Sequence, residues 1–257
     1  MKTSIIKNRK KFFQGILTIT FWVLIWHLLY ITVNQEILIV SPTAVFLRLS
    51  ALAEEAEFWQ IILLSMCRIM CGFIFAMAVG IVLAFFSFKL KYFKLFISPV
   101  ITAVKSTPVA SFVVLALVFV KSFYLPTLIS FLMVIPIIYG NILEGISSVD
   151  GDLIELSQVF CFSKMTKLTK IYIPSLLPYF NSAVATGLGF AWKAGVAAEV
   201  IANTKMSIGA QIYDSKIYLD TLNLFSWTIV IIALSIFLEK VVTRLLSPNA
   251  VKYKNVK

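Results

Sequence analysis

Four charged side chains lie inside apolar stretches of this 257-residue chain: Arg68, Lys105, Lys193 and Glu199. Because a charge at mid-membrane costs about 2.5–3.5 kcal/mol on insertion scales, such residues commonly serve function. Lys193 and Glu199 are six residues apart, so they face different sides of a helix. Arg68 is the better partner for Glu199, and two roles stay open for this pair: a structural ion pair or part of a solute path. Lys193 has no evident partner and is the stronger candidate for the path.

Other patterns typical of catalysis are absent from the sequence. No Gly-x-x-x-x-Gly-Lys-Ser/Thr phosphate loop occurs, so we do not expect this chain to hydrolyse ATP. The cysteines Cys67, Cys71 and Cys161 and the single histidine, His27, are not grouped with acidic residues, and they predict neither a disulfide nor a metal site. We therefore expect no catalytic residue, no metal and no cofactor in this chain.

A second set of residues with a clear spacing lies in the polar loop from Asp150 to Pro174, called loop 150–174 below. The pattern predicts two short helices that meet at a bend. We expect Asp152 to cap the first helix, with Glu155 at the reciprocal position of a capping box. We expect Ser163 to cap the second helix and Pro174 to end it, because proline lacks a backbone N–H.

Both predicted helices have apolar side chains at helical spacing. In the first helix these are Leu153, Leu156 and Phe160. In the second helix Met165, Leu168 and Ile171 recur beside a basic stripe of Lys164, Lys167 and Lys170. An ordinary amphipathic loop and a docking element for a partner protein both fit this pattern.

The spacing in this loop resembles that of bacterial ABC importer permeases, which reads Glu-Ala-Ala, three residues, Gly, nine residues, Ile, any residue, Leu and Pro. The matching residues are Glu155, Ile171 and Pro174, while Leu156, Ser157, Cys161 and Ile173 replace the two alanines, the glycine and the leucine. In that family the loop is the coupling helix, which sits in a cleft of a cytoplasmic ATPase subunit. The resemblance implies that the segment from Asp152 to Phe162 acts as a rigid lever.

Roles for individual residues follow from the same resemblance. Glu155 would dock electrostatically, Leu156 and Phe160 would fill a groove of the ATPase, and Pro174 would fix where the lever joins the next span. Whether Cys161 can replace the family's glycine stays open. The implied coupling residues are Asp152, Glu155, Leu156, Ser157, Phe160, Cys161, Phe162 and Pro174.

The elements that carry these residues are predicted membrane spans. Hydrophobic residues make up 60% of the chain, against about 45–50% in soluble domains. A bilayer core of about 30 Å needs about 20 apolar helical residues. Six runs of this length predict an all-α polytopic membrane protein, and they cover approximately residues 12–33, 61–87, 95–120, 125–146, 176–202 and 221–241.

Lysine and arginine are distributed unequally between the two sides of this predicted membrane protein. Sixteen lie in the termini and in loops 88–94 and 147–175, four lie on the opposite side, and three lie within spans. The positive-inside rule then predicts that both termini and loop 150–174 are cytoplasmic. The net charge of +11 is accounted for by this topology beside anionic lipid, and nothing else supports nucleic-acid binding.

Further features refine the spans. Residues 41–60 begin with Ser41-Pro42, a cap followed by proline at the first helical position, and predict a helix along the outer membrane surface. Small residues on several faces of the fifth span predict that protein surrounds it, beside a subunit interface or a pore. Prolines are expected to interrupt the third and fourth spans, at Pro99, Pro108, Pro126 and Pro136.

The resemblance covers about residues 38–245 and is to the nitrate, sulfonate and taurine branch of these permeases. It implies the type I ABC importer (MetI-like) permease fold with six transmembrane helices, the last five forming the conserved unit. We therefore expect a first region at 1–56, a transmembrane domain at 57–245 and a cytoplasmic tail at 246–257. The residues that carry it are Ser41-Pro42, Leu64-Ser65 to Arg68, Gly72-Phe73, Gly187 to Glu199, Ile208-Gly209 and Tyr218 to Asp220.

The resemblance implies a permease subunit of an ATP-driven importer in the cell (plasma or inner) membrane, moving a small anionic or heterocyclic solute by alternating access. Implied partners are two ABC ATPase subunits carrying ATP and Mg, a second permease copy, an extracytoplasmic solute-binding protein and membrane lipid. Two alternatives stay open. One is an ion-coupled secondary transporter with Arg68, Lys193 and Glu199 as relay groups, although the internal repeats common in that class are not evident. The other is a non-transporting scaffold that binds a cytoplasmic partner.

Overall fold

A computed structural model describes residues 2–253, with side chains for residues 14–246. Every regular element in this range is helical, which confirms the all-α class. The elements are α1 (Lys2–Val33), α2 (Pro42–Glu54), α3 (Ala56–Lys89), α4 (Lys91–Ser106), α5 (Val109–Leu117), α6 (Leu125–Ser147), α7 (Gly151–Val159), α8 (Lys164–Lys167), a π-helical turn (Leu168–Tyr172), α9 (Ile173–Ala202), α10 (Ile208–Ile217) and α11 (Thr221–Tyr253).

Within the described residues, five helices are long and apolar enough to cross a membrane, and the bent pair α4 and α5 makes a sixth if it is counted as one span. Each lies at the position of a predicted span. The helix at the fifth predicted span, Lys164–Ala202, begins well before the predicted residue 176. The reason is that α8, the π-helical turn and α9 are continuous.

The predicted third span is a broken one, because α4 and α5 meet at an angle of 101°. The break falls at Thr107, whose backbone is extended (φ −84°, ψ 129°). The following Pro108 disfavours a helical conformation at Thr107 and supplies no N–H. Pro99 and Pro136 lie inside helices that continue past them, and Pro126 lies in the first turn of α6. The prediction of an interruption is therefore correct at Pro108 and wrong at the other three prolines.

The chain divides into two compact units, and the smaller one comprises Met1–Trp59 and Gln211–Val230. Aromatic contacts join its segments: the rings of Trp26 and Phe225 stack at 5.7 Å, and those of Phe58 and Trp227 lie 5.1 Å apart. This unit therefore has an interior of its own, made of residues distant in sequence.

The start of α2 has the predicted cap. Ser41 Oγ accepts the N–H of Ala44 at 3.2 Å, and Pro42 is in the first turn. The helix ends at Glu54, because Glu55 is extended (φ −82°, ψ 127°), and α3 starts directly afterwards. The single helix predicted for residues 41–60 is therefore two, and residues 56–60 belong to the following span.

The larger unit comprises Gln60–Ala210 and Ile231–Lys257, and α9 is its central helix. Glycines let other helices approach α9 closely. A Cβ added to Gly145 of α6 would lie 2.9 Å from the ring of Tyr179, and one added to Gly195 would lie 2.5 Å from Ile69 of α3. Trp192 Nε1 also donates to the carbonyl of Ile231 in α11 at 3.2 Å. At Gly195, a small residue of the predicted fifth span thus serves close packing.

Candidate functional site

Loop 150–174 contains a short helix whose start differs from the prediction. The N-cap of α7 is Asp150, whose carboxylate accepts the N–H of Asp152 at 2.9 Å. Asp152 is inside the first turn, and Leu153 occupies the position at which a capping box requires Glu or Gln. The capping roles predicted for Asp152 and Glu155 are therefore wrong. Because the cap is Asp150, two residues earlier than predicted, Glu155 has no capping role, and its side chain is exposed.

The end of α7 explains why a glycine suits position 161. Cys161 has a left-handed backbone with φ 52°. Its N–H donates to the carbonyl of Gln158 at 2.9 Å, and the N–H of Phe162 donates to that of Ser157 at 2.9 Å. This pair of hydrogen bonds forms a Schellman motif, in which glycine is favoured at the left-handed position. Cys161 adopts the required conformation at a steric cost that glycine would avoid.

The side of α7 that faces away from the unit is strongly apolar. Ser157 is buried on the other side of α7, and its hydroxyl donates to the carbonyl of Ile154 within the same helix. Phe160 is 65% exposed, and its ring lies 6.3 Å from that of Phe162. Exposed large apolar side chains in this segment are Leu153, Leu156, Val159, Phe160 and Phe162. A contiguous apolar patch of this kind is typical of a protein-binding surface.

The second predicted helix has the predicted cap, since Ser163 Oγ accepts the N–H of Thr166 at 3.1 Å. It does not end at Pro174, which lies in the first turn of α9. A π-helical turn precedes it, and the N–H of Ile173 donates to the carbonyl of Leu168. The wider turn accommodates a proline, which would otherwise clash with the carbonyl four residues back. Pro174 therefore lies at an irregular turn within one continuous helix.

Arg68 of α3 and Glu199 of α9 form the ion pair that their placement predicts. Arg68 Nη1 lies 3.6 Å from Glu199 Oε1, and the two side chains are 7% and 0% exposed. Charges buried to this degree are tolerated when they are paired and hydrogen-bonded. The structural role and the path role both remain predictions for this pair.

The carboxylate of Glu199 also holds the start of α10. Its Oε2 accepts the hydroxyl of Ser65 at 2.9 Å and the N–H of Gly209 at 3.2 Å. Ser65 Oγ in turn accepts the N–H of Ile208 at 2.9 Å. A side chain at Gly209 would overlap Glu199 and the backbone of Val200, so this close approach requires glycine.

The guanidinium of Arg68 holds the residues between α9 and α10. It donates to the carbonyls of Met206 at 3.1 Å and Lys205 at 3.3 Å, and its Cζ lies 4.6 Å from the ring centroid of Phe123. Ser65, Arg68 and Glu199 are called the buried network below. They fix the backbone of the connection that follows α9.

Lys193 lies apart from the buried network. Its side chain is exposed on one stripe of α9, and no hydrogen-bond or ion-pair partner for it is found among the described side chains. The same stripe contains Ser182, Ala185, Thr186 and Phe190. The other faces of α9 are buried within the chain, and the position of this span beside a subunit interface or a pore stays a prediction. The stripe is free to face a solute or another subunit.

Some residues of these sites escape sequence analysis. Ser65 links Glu199 to α10, yet a serine in an apolar span gives no signal of its own. The cap of α7 is Asp150 and not the predicted Asp152. Glu144 and Glu239 lie within the predicted spans 125–146 and 221–241 and could have been found by counting charges; both are exposed. Lys105 lies in the last turn of α4, beside the break with α5.

Among the described residues, no group of three or more His, Cys, Asp or Glu side chains could hold a metal ion. Cys67, Cys71 and Cys161 are free thiols on exposed positions.

Comparison with known proteins agrees with this arrangement. Residues 76–251 match the family described as "Binding-protein-dependent transport system inner membrane component". The chain is 26% identical over 220 residues to a "Probable ABC transporter permease protein" of Brucella melitensis, covering 84% of this chain and 87% of the relative. It is 23% identical over 255 residues to the "Putative aliphatic sulfonates transport permease protein" of Bacillus subtilis, covering 97% and 90%.

Two further comparisons extend the picture. The "Nitrate import permease protein" of Synechococcus elongatus is 29% identical over 155 residues, which cover 60% of this chain and 55% of the relative. A solved amino acid ABC transporter chain superposes with a TM-score of 0.60 at 17% identity, covering 79% of this chain and 94% of that one. This superposition supports the MetI-like permease fold.

Proposed function

Because the chain belongs to the family of binding-protein-dependent transport system inner membrane components, we propose that it moves a small anion into the cell while a separate ATPase drives it through loop 150–174. The chain is a permease subunit of an ABC importer, and it is a multi-pass membrane protein.

The observation that carries the coupling role is the apolar patch of α7. Leu156 and Phe160 are 51% and 65% exposed at the end of a helix that is capped at both termini by its own chain. A helix so fixed can transmit force as a rigid body, and its apolar side chains need a partner to leave water. Glu155, which precedes Leu156, is also exposed and would add an electrostatic contact.

Proteoliposomes containing the full chain, its candidate ATPase and its candidate solute-binding protein test this role. We expect uptake to require ATP, and Glu155→Lys to leave membrane insertion intact while uncoupling ATP hydrolysis from uptake. Asp214→Lys in α10, another exposed acidic residue outside the loop, is the control. Normal ATP-driven uptake by Glu155→Lys would exclude the proposed docking, and uptake driven by an ion gradient without ATP would exclude the proposed function.

Support for an anionic solute comes from the relatives and from Lys193. Relatives are named for aliphatic sulfonates, nitrate and bicarbonate. An unpaired lysine on an exposed stripe of a spanning helix offers a positive charge that an anion can approach. We expect Lys193→Gln to lower the rate of anion uptake without changing the thermal stability of the chain. Unchanged uptake would remove Lys193 from the path.

The proposed assembly follows the family. Two permease copies would associate with two ATPase subunits, which carry ATP and Mg, and an extracytoplasmic protein would deliver the solute. The distribution of basic residues supports cytoplasmic termini and a cytoplasmic loop 150–174. Labelling of single cysteines from each side of the membrane tests this orientation: a thiol at position 161 should react only from the cytoplasm.

A further inference from the structure

An apolar groove lies in the larger unit where α3, α6 and α9 meet, at the ends of these helices nearest to loop 150–174. Its volume is about 310 Å³, and all eight side chains that line it are aliphatic or aromatic. None of them belongs to α7 or to the buried network, so the groove is separate from both. Its walls include Ile81, Phe85, Ile142, Ile146, Ile173 and Leu177.

A cation is held at one edge of this groove. Lys89 ends α3, and its Nζ lies 4.5 Å from the ring centroid of Phe85, a lining residue. The cation–π contact orients the ammonium group and leaves its N–H donors available. No anionic partner for Lys89 is found among the described residues. The groove therefore combines a continuous apolar wall with one available positive charge at its end.

The dimensions fit a single hydrocarbon chain. From Ile173 to Phe180 the groove follows α9 for about 10 Å, at 1.5 Å per residue. One leaflet of a bilayer is about 15 Å thick, half of the hydrocarbon core. The lining offers no hydrogen-bond partner to a polar solute, so such a solute would lose its hydration without compensation.

We infer that this groove binds one acyl chain of an anionic phospholipid, whose phosphate contacts Lys89. Basic side chains beside pockets between spans are a known basis for such recognition. The lipid would belong to the cytoplasmic leaflet, a point that rests on the orientation proposed above. Since Ile146 lies near the end of α6 and Ile173 begins α9, a bound chain would contact both helices that flank loop 150–174.

Native mass spectrometry of the full chain in mild detergent tests this site. The probes are phosphatidylglycerol and phosphatidylcholine with identical acyl chains. We expect a one-to-one complex with phosphatidylglycerol that is about five-fold tighter than that with phosphatidylcholine, as one lysine near the surface contributes. Lys89→Gln should abolish this preference. Lys94→Gln, an exposed lysine that makes no such aromatic contact, should preserve it.

A second variant tests the groove itself. Leu177→Trp should fill it and weaken the binding of both lipids, while the melting temperature shows that the variant is folded. Equal binding of both lipids by the wild type, or an unchanged preference in Lys89→Gln, would overturn the inference. The bound lipid would then be non-specific annular lipid. This assay needs neither ATP nor an ATPase. A negative result would therefore leave the proposed import function intact, and a negative transport result would leave the proposed lipid site intact.

Discussion

The buried network and the first half of loop 150–174 lie in the same unit but differ in which side chains they bury. The network buries charged side chains, whereas the loop exposes apolar ones. In the network, Arg68 and Glu199 are buried and paired, and Ser65, a backbone N–H and backbone carbonyls bond to them, while Arg68 Nε and Glu199 Oε1 have no hydrogen bond among the described residues. In the loop, the polar backbone ends of α7 are satisfied locally while Leu156 and Phe160 face outward. The groups that bond to the network lie within this chain, whereas this chain leaves the apolar side chains of the loop exposed. Stability should therefore depend on the first region and coupling on the second.

The strongest test of this contrast removes Glu199. Glu199→Ala should lower the free energy of unfolding by about 3–5 kcal/mol, because Arg68 would remain buried without its counter-charge. Unfolding in mixed micelles by a denaturing detergent measures the change. Glu155→Ala in α7 should change the same quantity by less than about 0.5 kcal/mol. Equal losses in the two variants would contradict the contrast.

The double variant Arg68→Met, Glu199→Leu then separates the two roles left open for this pair. Replacing a whole buried ion pair by apolar residues is often neutral for stability. Normal uptake by a stable double variant would make the pair structural, and loss of uptake with stability retained would assign it to the solute path.

A smaller effect is expected from the packing beside the network. Gly195→Ala should cost about 1–3 kcal/mol, because the new methyl group would lie 2.5 Å from Ile69 and 2.6 Å from Ser130 Oγ. Gly189, six residues earlier in α9, has nothing within 4 Å of an added Cβ. Gly189→Ala should therefore stabilise the chain by about 0.5–1 kcal/mol. The same unfolding assay measures the change in the free energy of unfolding for both variants. Changes of the same sign would refute the packing argument.

On the loop, Phe160→Ala should leave stability unchanged and weaken binding of the ATPase by more than 1 kcal/mol, about ten-fold. The reason is that Phe160 supplies apolar area that only a partner can bury. Phe119, which is 80% exposed just beyond α5, is the matched control. Binding of purified ATPase to nanodiscs measures the affinity of both variants. An equal loss of affinity in Phe119→Ala would mean that removing any exposed phenylalanine has this effect, which would contradict a specific role for Phe160.

The contrast also shows which features the sequence can predict. Apolar runs locate the spans because hydrocarbon thickness sets their length, and the caps at Ser41 and Ser163 are local in sequence. The Arg68–Glu199 pair is predictable because two buried charges need each other. Features that depend on a neighbouring helix are not local in sequence and cannot be predicted in this way. The hydrogen bond from Ser65 of α3 to Glu199 of α9 is one example.

Proline shows the same limit. Pro108 breaks the chain, whereas Pro136 lies inside α6 and Pro174 follows a π-helical turn. Sequence identifies the missing N–H at each position, but the surrounding helices decide whether the chain bends, widens or continues. For this reason the predicted end of the second loop helix at Pro174 is wrong, although Pro174 lacks a backbone N–H as at the other positions.

The smallest expected effect is at Cys161, where the loop departs from the family's glycine. A left-handed backbone costs a residue with a Cβ about 1–2 kcal/mol, and glycine avoids this cost at some loss of chain entropy. Cys161→Gly should therefore stabilise the end of α7 by about 1 kcal/mol, and Cys161→Ala should not. Hydrogen exchange at the N–H of Phe162, which donates to Ser157, reports on this one turn. Slower exchange in Cys161→Gly together with unchanged ATPase binding would show that residue 161 shapes the loop and does not contact the partner, whereas equal protection in the glycine and alanine variants would exclude backbone strain as the reason for the family's glycine.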